Sequence, residues 1–293
     1  MQYSENRAIV DPWFIQPRGF ARRRILSIFA ISLLTILTTG ISVSMLRSGD
    51  PTAVSASKYV ILFGISMALA LALALRPQSG PFFKRPVRIA KEGEQSLLIV
   101  PGSKLYFWLP QAMYLCFAMI FLLASYGFAT SEEGVHWPLF IIFAALGSVL
   151  VIPLVLAATG ELRPEKLVLS ADSIVHHGWS SQTTLYWADV NRLHASFNLQ
   201  PLQRLLNIVG LSSAQWIHRY NRPFYKVSDN PSRPWNKNKM SHPGWIVVEC
   251  PRLAVDSITL YRFLDFYVAN PELRAELGTM SSVERWHSFD NAH

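Results

Sequence analysis

Histidines are the residues of this chain best able to bind a metal, but their spacing does not predict a metal site. His176 and His177 are adjacent in a segment with strand-like alternation, so their side chains should point to opposite faces of a sheet. Two such side chains cannot bind one metal ion together. Three further histidines lack ligand spacing to cysteine or carboxylate: His194, His218 and His242. We therefore expect no metal ligands.

Serine and aspartate do not form a recognisable catalytic pattern either. Ser180-Ser181 and Ser212-Ser213 do not lie in a GxSxG elbow, and the chain has neither a Walker loop nor GxGxxG. Asp189, two residues after Trp187, could act as a base, but the resemblance given below implies a structural role for it. We expect no catalytic residue, no cofactor-binding residue and no cofactor, and hence a protein that is not an enzyme.

A long basic segment between Gln200 and Pro243 has the clearest surface chemistry. It holds seven Lys and Arg residues against one acidic residue, Asp229, in a chain of net charge +8. Apolar residues recur there at helical spacing, namely Leu202, Leu205, Leu206 and Val209. This spacing predicts an amphipathic helix or helix pair with basic flanks.

Such a helix could lie among anionic headgroups of the inner leaflet, where each Lys or Arg is worth about 1 kcal/mol. The alternatives are packing on a sheet with an irregular basic loop, or contact with a protein partner. Nucleic acid is not expected, because no recognition motif accompanies the charge. The candidate lipid or partner contacts are Trp216, Arg219, Arg222, Lys226, Lys237 and Lys239.

The sequence around this segment predicts short antiparallel strands followed by a helix. Alternating residues predict strands in LVLSADSIVHHG from Leu167, then in TTLYW, VNRLHASF and GWIVVEC. Asp256 is a plausible N-cap for an amphipathic helix with Ile258, Tyr261, Leu264 and Val268 on one face. A last short helix, PELRAEL, should end at Gly278.

Two of these segments, LVLSADSIVHHG and TTLYWADVNRLHA, resemble the bacterial pleckstrin-homology-like (PH-like) domain. The C-terminal YRFLDFYVANPELRAELGTMSSVERW resembles uncharacterised PH-like membrane proteins of high-GC Gram-positive bacteria. The resemblance covers roughly residues 161 to 285. It implies a curved antiparallel sheet closed by the helix that follows Asp256, and it implies that Asp189 caps the turn between strands. The long segment from Gln200 to Pro243 departs from the short hairpins of that family.

Four apolar stretches without Asp, Glu, Lys or Arg fill the first half of the chain. At about 1.5 Å of rise per residue, roughly 20 apolar residues cross the hydrocarbon core of a bilayer. The four stretches approach or reach that length, and they run over residues 25–46, 59–75, 105–128 and 137–158. Residues 1–160 are therefore predicted to form a membrane domain with four transmembrane helices. Within it, Gly64, Ala68 and Ala72 could serve an oligomer interface or, as we favour, packing inside the bundle.

Basic residues are concentrated on one side of the four predicted membrane spans. They cluster before the first span and between the second and third spans, so both termini should be cytoplasmic in the plasma (inner) membrane. Cys116 and Cys250 are far apart and not expected to form a disulfide, which fits a reducing cytoplasm. The loop 76–104 is predicted to form a cytoplasmic hairpin with a turn at Gly93. We expect this hairpin to pack against the cytoplasmic domain.

The sequence thus predicts an α+β membrane protein: a four-helix transmembrane bundle followed by a cytoplasmic PH-like antiparallel β domain, residues 161–293, with a C-terminal helix and the basic insertion 200–243. The expected function is that of a non-enzymatic adaptor that binds anionic lipid of the inner leaflet, or a protein partner or second copy. One alternative is an accessory subunit of a membrane transport or cell-envelope assembly complex. A membrane enzyme without a recognisable motif is the other.

Overall fold

The protein divides into two compact units in a computed structural model that describes residues 12–13, 19–76, 83–130, 136–198, 203–214, 216–220 and 244–291. The helical unit consists of residues 21–76 and 105–162. The sheet unit is assembled from three stretches: residues 1–20, 77–104 and 163–293. The loop 76–104, predicted as part of the membrane domain, therefore belongs almost entirely to the sheet unit.

In the part of the chain that the structure describes, four long helices form the helical unit, and each is long and apolar enough to cross a membrane, as predicted. They are α1 (Phe20–Arg47), α2 (Pro51–Ala74), α3 (Lys104–Ala129) and α4 (Trp137–Ala158). α2 begins at Pro51 rather than Tyr59, because the Asp50 side chain accepts a hydrogen bond from the Thr52 N–H and Pro51 occupies the first turn. α2 has 24 residues and α4 has 22, so α2 is longer than the predicted stretch 59–75.

Small side chains let neighbouring helices approach each other. A Cβ placed on Gly64 of α2 would lie 3.2 Å from Thr38 Oγ1 of α1, so Gly64 serves packing inside the unit. A Cβ on Gly147 of α4 would lie 2.7 Å from Leu122 Cγ of α3. Hydroxyls of α1 donate to carbonyls of their own helix, among them Thr35 to Ile31 at 2.8 Å.

Nine strands form two antiparallel sheets among the described residues of the sheet unit. They are β1 (Arg88–Glu92), β2 (Gln95–Val100), β3 (Lys166–Leu169), β4 (Ser173–His177), β5 (Ser181–Tyr186), β6 (Val190–Asn198), β7 (Gln203–Gly210), β8 (Trp216–Tyr220) and β9 (Trp245–Glu249). The first sheet has the order β1-β2-β3-β4-β5-β8, and the second has the order β6-β7-β9. The predicted strands around Leu167, Thr183, Val190 and Trp245 are confirmed.

The predicted amphipathic helix between Leu202 and Tyr220 is wrong, because this segment forms β7 and β8. Leu206 and Ile208 of β7 have no exposed area and lie in the core, and Val209 is also buried. Four of the five apolar residues between positions 202 and 209 fit helical spacing, but the segment pairs as a strand in which Arg204, Leu206 and Ile208 are buried on one face and Asn207 and Val209 on the other. The rest of the basic insertion, residues 221–243, lies outside the described residues.

The hairpin of residues 76–104 is confirmed and completes the first sheet. β1 and β2 turn at Gly93, whose φ of +64° suits glycine, and β2 pairs with β3. Leu98 and Val100 of β2 are fully buried in the core that the C-terminal strands provide. A two-stranded hairpin is marginal by itself, so its folding depends on β3.

α5 (Ser257–Ala269) closes the core, and Asp256 caps it as predicted, accepting from the N–H groups of Ile258 and Thr259. Its buried face is rotated from the predicted one, since Leu260, Phe263, Leu264 and Tyr267 have no exposed area. The segment PELRAEL contains a short 3-10 helix over Pro271–Glu276. The sequence did not predict the helix that follows it, α6 (Met280–Asn291), which buries Trp286 against Phe263.

Trp13 is a core residue of the sheet unit, although it precedes the first span. It is 1% exposed, and its indole N–H donates to the carbonyls of Ser196 in β6 (2.9 Å) and Leu205 in β7 (3.2 Å). Its ring packs on Tyr261 of α5, and the Arg204 guanidinium lies 5.2 Å from the ring centroid. Arg204 also donates to Ser257 Oγ, so this member of the basic segment is buried and structural.

We expect Trp13→Ala to destabilise the sheet unit by about 3 to 5 kcal/mol, because it leaves a large cavity and two carbonyls without their donor. Hydrogen exchange of β7 amides in the full-length protein measures the loss. Phe83→Ala is the control, since Phe83 is 73% exposed. Equal exchange in both variants would contradict the structural role of Trp13.

Candidate functional site

The segment before α5 joins the stretches of chain that lead to and from the helices. The Arg252 carbonyl accepts from the Ser103 N–H, and the Ala254 carbonyl accepts from the Arg85 N–H, both at 2.8 Å. The Ala254 N–H donates to the Pro101 carbonyl at 2.8 Å. Arg85 follows α2, while Pro101 and Ser103 precede α3. The sheet unit therefore fixes both of these connections at one place.

A buried ionic cluster extends this junction to the connection that follows α4. Glu165, 2% exposed, lies with Oε1 2.6 Å from His176 Nε2 and with Oε2 3.4 Å from Arg252 Nη1. Arg252 Nη2 lies 2.7 Å from Glu249 Oε1, and its guanidinium lies 4.7 Å from the centroid of Trp179. A Cβ on Gly102 would lie 1.7 Å from the Glu165 carbonyl oxygen, so only glycine fits there.

The electrostatics of the cluster follow from its burial. Burial raises the pKa of Glu249 to about 6, and the Arg252 guanidinium offsets part of that rise. Burial also raises the pKa of the adjacent Cys250 thiol, which therefore stays protonated. A guanidinium shared by two carboxylates compensates their desolvation only while all three groups remain in place. The cluster thus holds structure rather than presenting a reactive group to solvent.

Only two of the six predicted contact residues fall within the described chain. Trp216 and Arg219 lie on β8, which is an edge strand of the first sheet and pairs with β5. Arg219 is exposed, and Ile217 two positions before it is 40% exposed. The other four lie outside the described residues: Arg222, Lys226, Lys237 and Lys239.

The structure places further polar groups beside Arg219 that the sequence did not single out. The sheet register aligns Lys166 of β3, His177 of β4, Gln182 of β5 and Arg219 of β8 as successive partners; we name these four residues the basic row. The basic row lies on the face of the sheet opposite the core, because alternate residues such as Ile174 and Leu185 are fully buried. Lys166 and His177 carried no sequence signal for this placement, since register is a long-range property.

The pKa of His177 shows how burial and neighbouring cations act on a group in the basic row. Burial, together with the neighbouring Lys166, His176 and Arg163, lowers this pKa to about 4. The imidazole is therefore neutral at physiological pH. Its surroundings therefore disfavour a positive charge on the ring.

The histidines of the opposite face serve the interior, as their strand positions predict. His176 and His177 do point to opposite faces, since His176 is buried at the ionic cluster. His218 Nδ1 lies 2.8 Å from Thr183 Oγ1, and burial lowers the pKa of His218. Within the described ranges, no group of three or more His, Cys, Asp or Glu side chains is arranged to hold a metal ion. Asp189 accepts the Leu211 N–H with its main-chain carbonyl.

Comparison of the chain with models of protein families, with curated proteins and with solved structures found no match. The interpretation of the site therefore rests on its own geometry.

We expect Arg252→Met to destabilise the sheet unit by about 3 to 5 kcal/mol at pH 8, because two buried carboxylates lose their shared cation. The loss should shrink at pH 5.5. The folded pKa of Glu249 is above its unfolded value, so stability increases as pH falls through about 6. Thermal unfolding of the full-length protein at both pH values tests this, with Arg192→Met as the exposed control. A loss that does not depend on pH would contradict the assignment.

His177→Gln should make the sheet unit less sensitive to acid. The folded pKa of His177 is below its unfolded value, so the wild-type protein loses stability as pH falls from about 6.5 towards 4. The variant lacks this contribution, and its Tm relative to wild type should be higher at pH 5 than at pH 7.5. Because His177 is partly exposed, solvent screening limits the difference to a few degrees. The same Tm difference at both pH values would refute the expectation.

Proposed function

We propose that this chain is a non-enzymatic plasma-membrane protein whose PH-like cytoplasmic domain binds the anionic inner leaflet. The observation that carries the proposal is that Ile217 and Arg219 are both exposed on the edge strand β8, within the basic segment. An apolar side chain beside a cation suits the boundary between headgroups and hydrocarbon. Five further basic residues of this segment supply additional attraction, against Asp229 as its one acidic residue: Arg222, Lys226, Arg233, Lys237 and Lys239.

The cytoplasmic placement is supported by the basic residues and by the connectivity. The sheet unit contains the chain before α1, between α2 and α3, and after α4. If the helices cross the bilayer, these three stretches must lie on one side. Basic residues cluster in the first two, with Arg22, Arg23 and Arg24 at the start of α1, and positive residues favour the cytoplasmic side.

The PH-like assignment is supported by two antiparallel sheets with a C-terminal helix over their shared core. Trp187 of the Trp-x-Asp-Val motif lies in that core, 2% exposed, with its indole N–H donating to the Ser170 carbonyl at 2.8 Å. Arg274 lies 5.3 Å from its ring centroid. The motif therefore acts as a structural corner between β5 and β6.

The test must use the full chain, because residues 161–293 alone lack β1, β2 and Trp13. In neutral detergent, we expect native mass spectrometry to detect phosphatidylglycerol retained in preference to phosphatidylcholine. Replacing Arg219, Arg222, Lys226, Lys237 and Lys239 by Gln should reduce that preference by more than tenfold, since each cation contributes about 1 kcal/mol.

The control replaces Lys91 and Arg192, two exposed cations on other strands, by Gln. It should retain phosphatidylglycerol as wild type does. The proposal fails if the five-residue variant also keeps the full preference for the anionic lipid.

A further inference from the structure

The basic row has the charge and spacing of an anion site. Neighbouring strands are about 4.8 Å apart, so Lys166 and Arg219 flank His177 and Gln182 across about 14 Å. Both cationic side chains are long enough to reach towards the centre of the row. Among the described residues, Lys166, Gln182 and Arg219 have no side-chain hydrogen bond or ion pair within the protein. Their donors are therefore available to a ligand.

A second, largely apolar row runs beside the basic row on the same face. The register aligns five residues as successive partners, and we name them the apolar row: Ile99, Val168, Val175, Thr184 and Ile217. On β3, β4, β5 and β8, each of these residues lies two positions along its strand from a residue of the basic row. Exposure increases towards the edge, from 7% at Val168 to 40% at Ile217. The side chains of this face are therefore most exposed at the β8 edge, where polar and apolar side chains lie next to each other.

Resting on the proposed lipid-binding function, we infer that the face formed by the basic and apolar rows binds the phosphate and glycerol of one anionic phospholipid. The phosphate lies over His177 and Gln182 between Lys166 and Arg219, and the glycerol and upper acyl chains lie along Thr184 and Ile217. A free phosphate would use the basic row alone. The adjacent apolar row therefore favours a lipid as the source of the phosphate.

His177 suits this role because a neutral imidazole donates one hydrogen bond without bringing a charge of its own. Lys166 and Arg219 supply the charge, as cations paired with phosphate do. A bound phosphate would favour the protonated imidazole, so anion binding should raise the pKa of His177 from about 4. A purely structural histidine would show no such coupling to lipid.

The experiment titrates the full-length protein in neutral detergent, at low ionic strength, with soluble dihexanoyl phosphatidylglycerol. Glycerol 3-phosphate and dihexanoyl phosphatidylcholine are the comparison ligands. We expect the anionic lipid to bind most tightly. Gln182→Glu and Lys166→Gln should each weaken it by about fivefold or more, because each changes one charge at the row. Asn191→Asp, which adds a negative charge on exposed β6, should bind as wild type does.

Each failure has a distinct meaning. If Gln182→Glu and Lys166→Gln bind the lipid as wild type does, the basic row is not the site, and the proposed function still stands if the five-residue variant of the basic segment loses lipid. If neither set of variants loses lipid, both proposals fall. If glycerol 3-phosphate binds as tightly as the lipid, the apolar row is not used and the lipid assignment is overturned. Histidine NMR at pH 5 reports the His177 ring directly and should show protonation on adding the lipid.

Discussion

One hydrophobic core built from three separate stretches of chain is the constraint on which the rest of the structure depends. Trp13, the β1–β2 hairpin and the C-terminal strands share that core, with a pair of long helices between each stretch and the next. The sheet unit can form only if each helix pair leaves the core and returns to it. The even number of candidate spans therefore follows from the packing of the sheet unit as well as from hydropathy.

Contacts of the segment before α5 fix the positions of the chain stretches that connect the sheet unit to the helices. Backbone hydrogen bonds attach Arg85, Pro101 and Ser103 to residues 252–254, and the Arg252 side chain attaches Glu165. Buried charges seldom add net stability, but they tolerate few alternative arrangements, because an unpaired buried carboxylate is costly. The cluster therefore specifies one position for the connections. Any ligand that shifted this segment would act on several helix connections together.

Local chemistry could be predicted from the sequence, and long-range pairing could not. The Asp256 cap, the Gly93 turn and the four apolar helices follow from residues within one or two turns of each other. β7 was misread because its apolar residues fit helical and strand periods alike, and the period is decided by the sheet it joins. The Arg252–Glu165 contact links residues 87 positions apart, and the basic row depends on register across four strands. No pattern in a single sequence encodes either one.

The docking of Trp13 has a consequence for biosynthesis. The carbonyl of Leu205 that receives the indole N–H lies 192 positions later in the chain. At about 5 to 20 residues per second, translation needs roughly 10 to 40 s to produce that partner. During this interval the ribosome has delivered all four apolar helices while the tryptophan and the β1–β2 hairpin still lack their binding surface. If the helices enter a bilayer as they are made, they do so before the sheet unit can mature, and an arrested nascent chain would leave Trp13 and the β1–β2 hairpin without the surface they pack on.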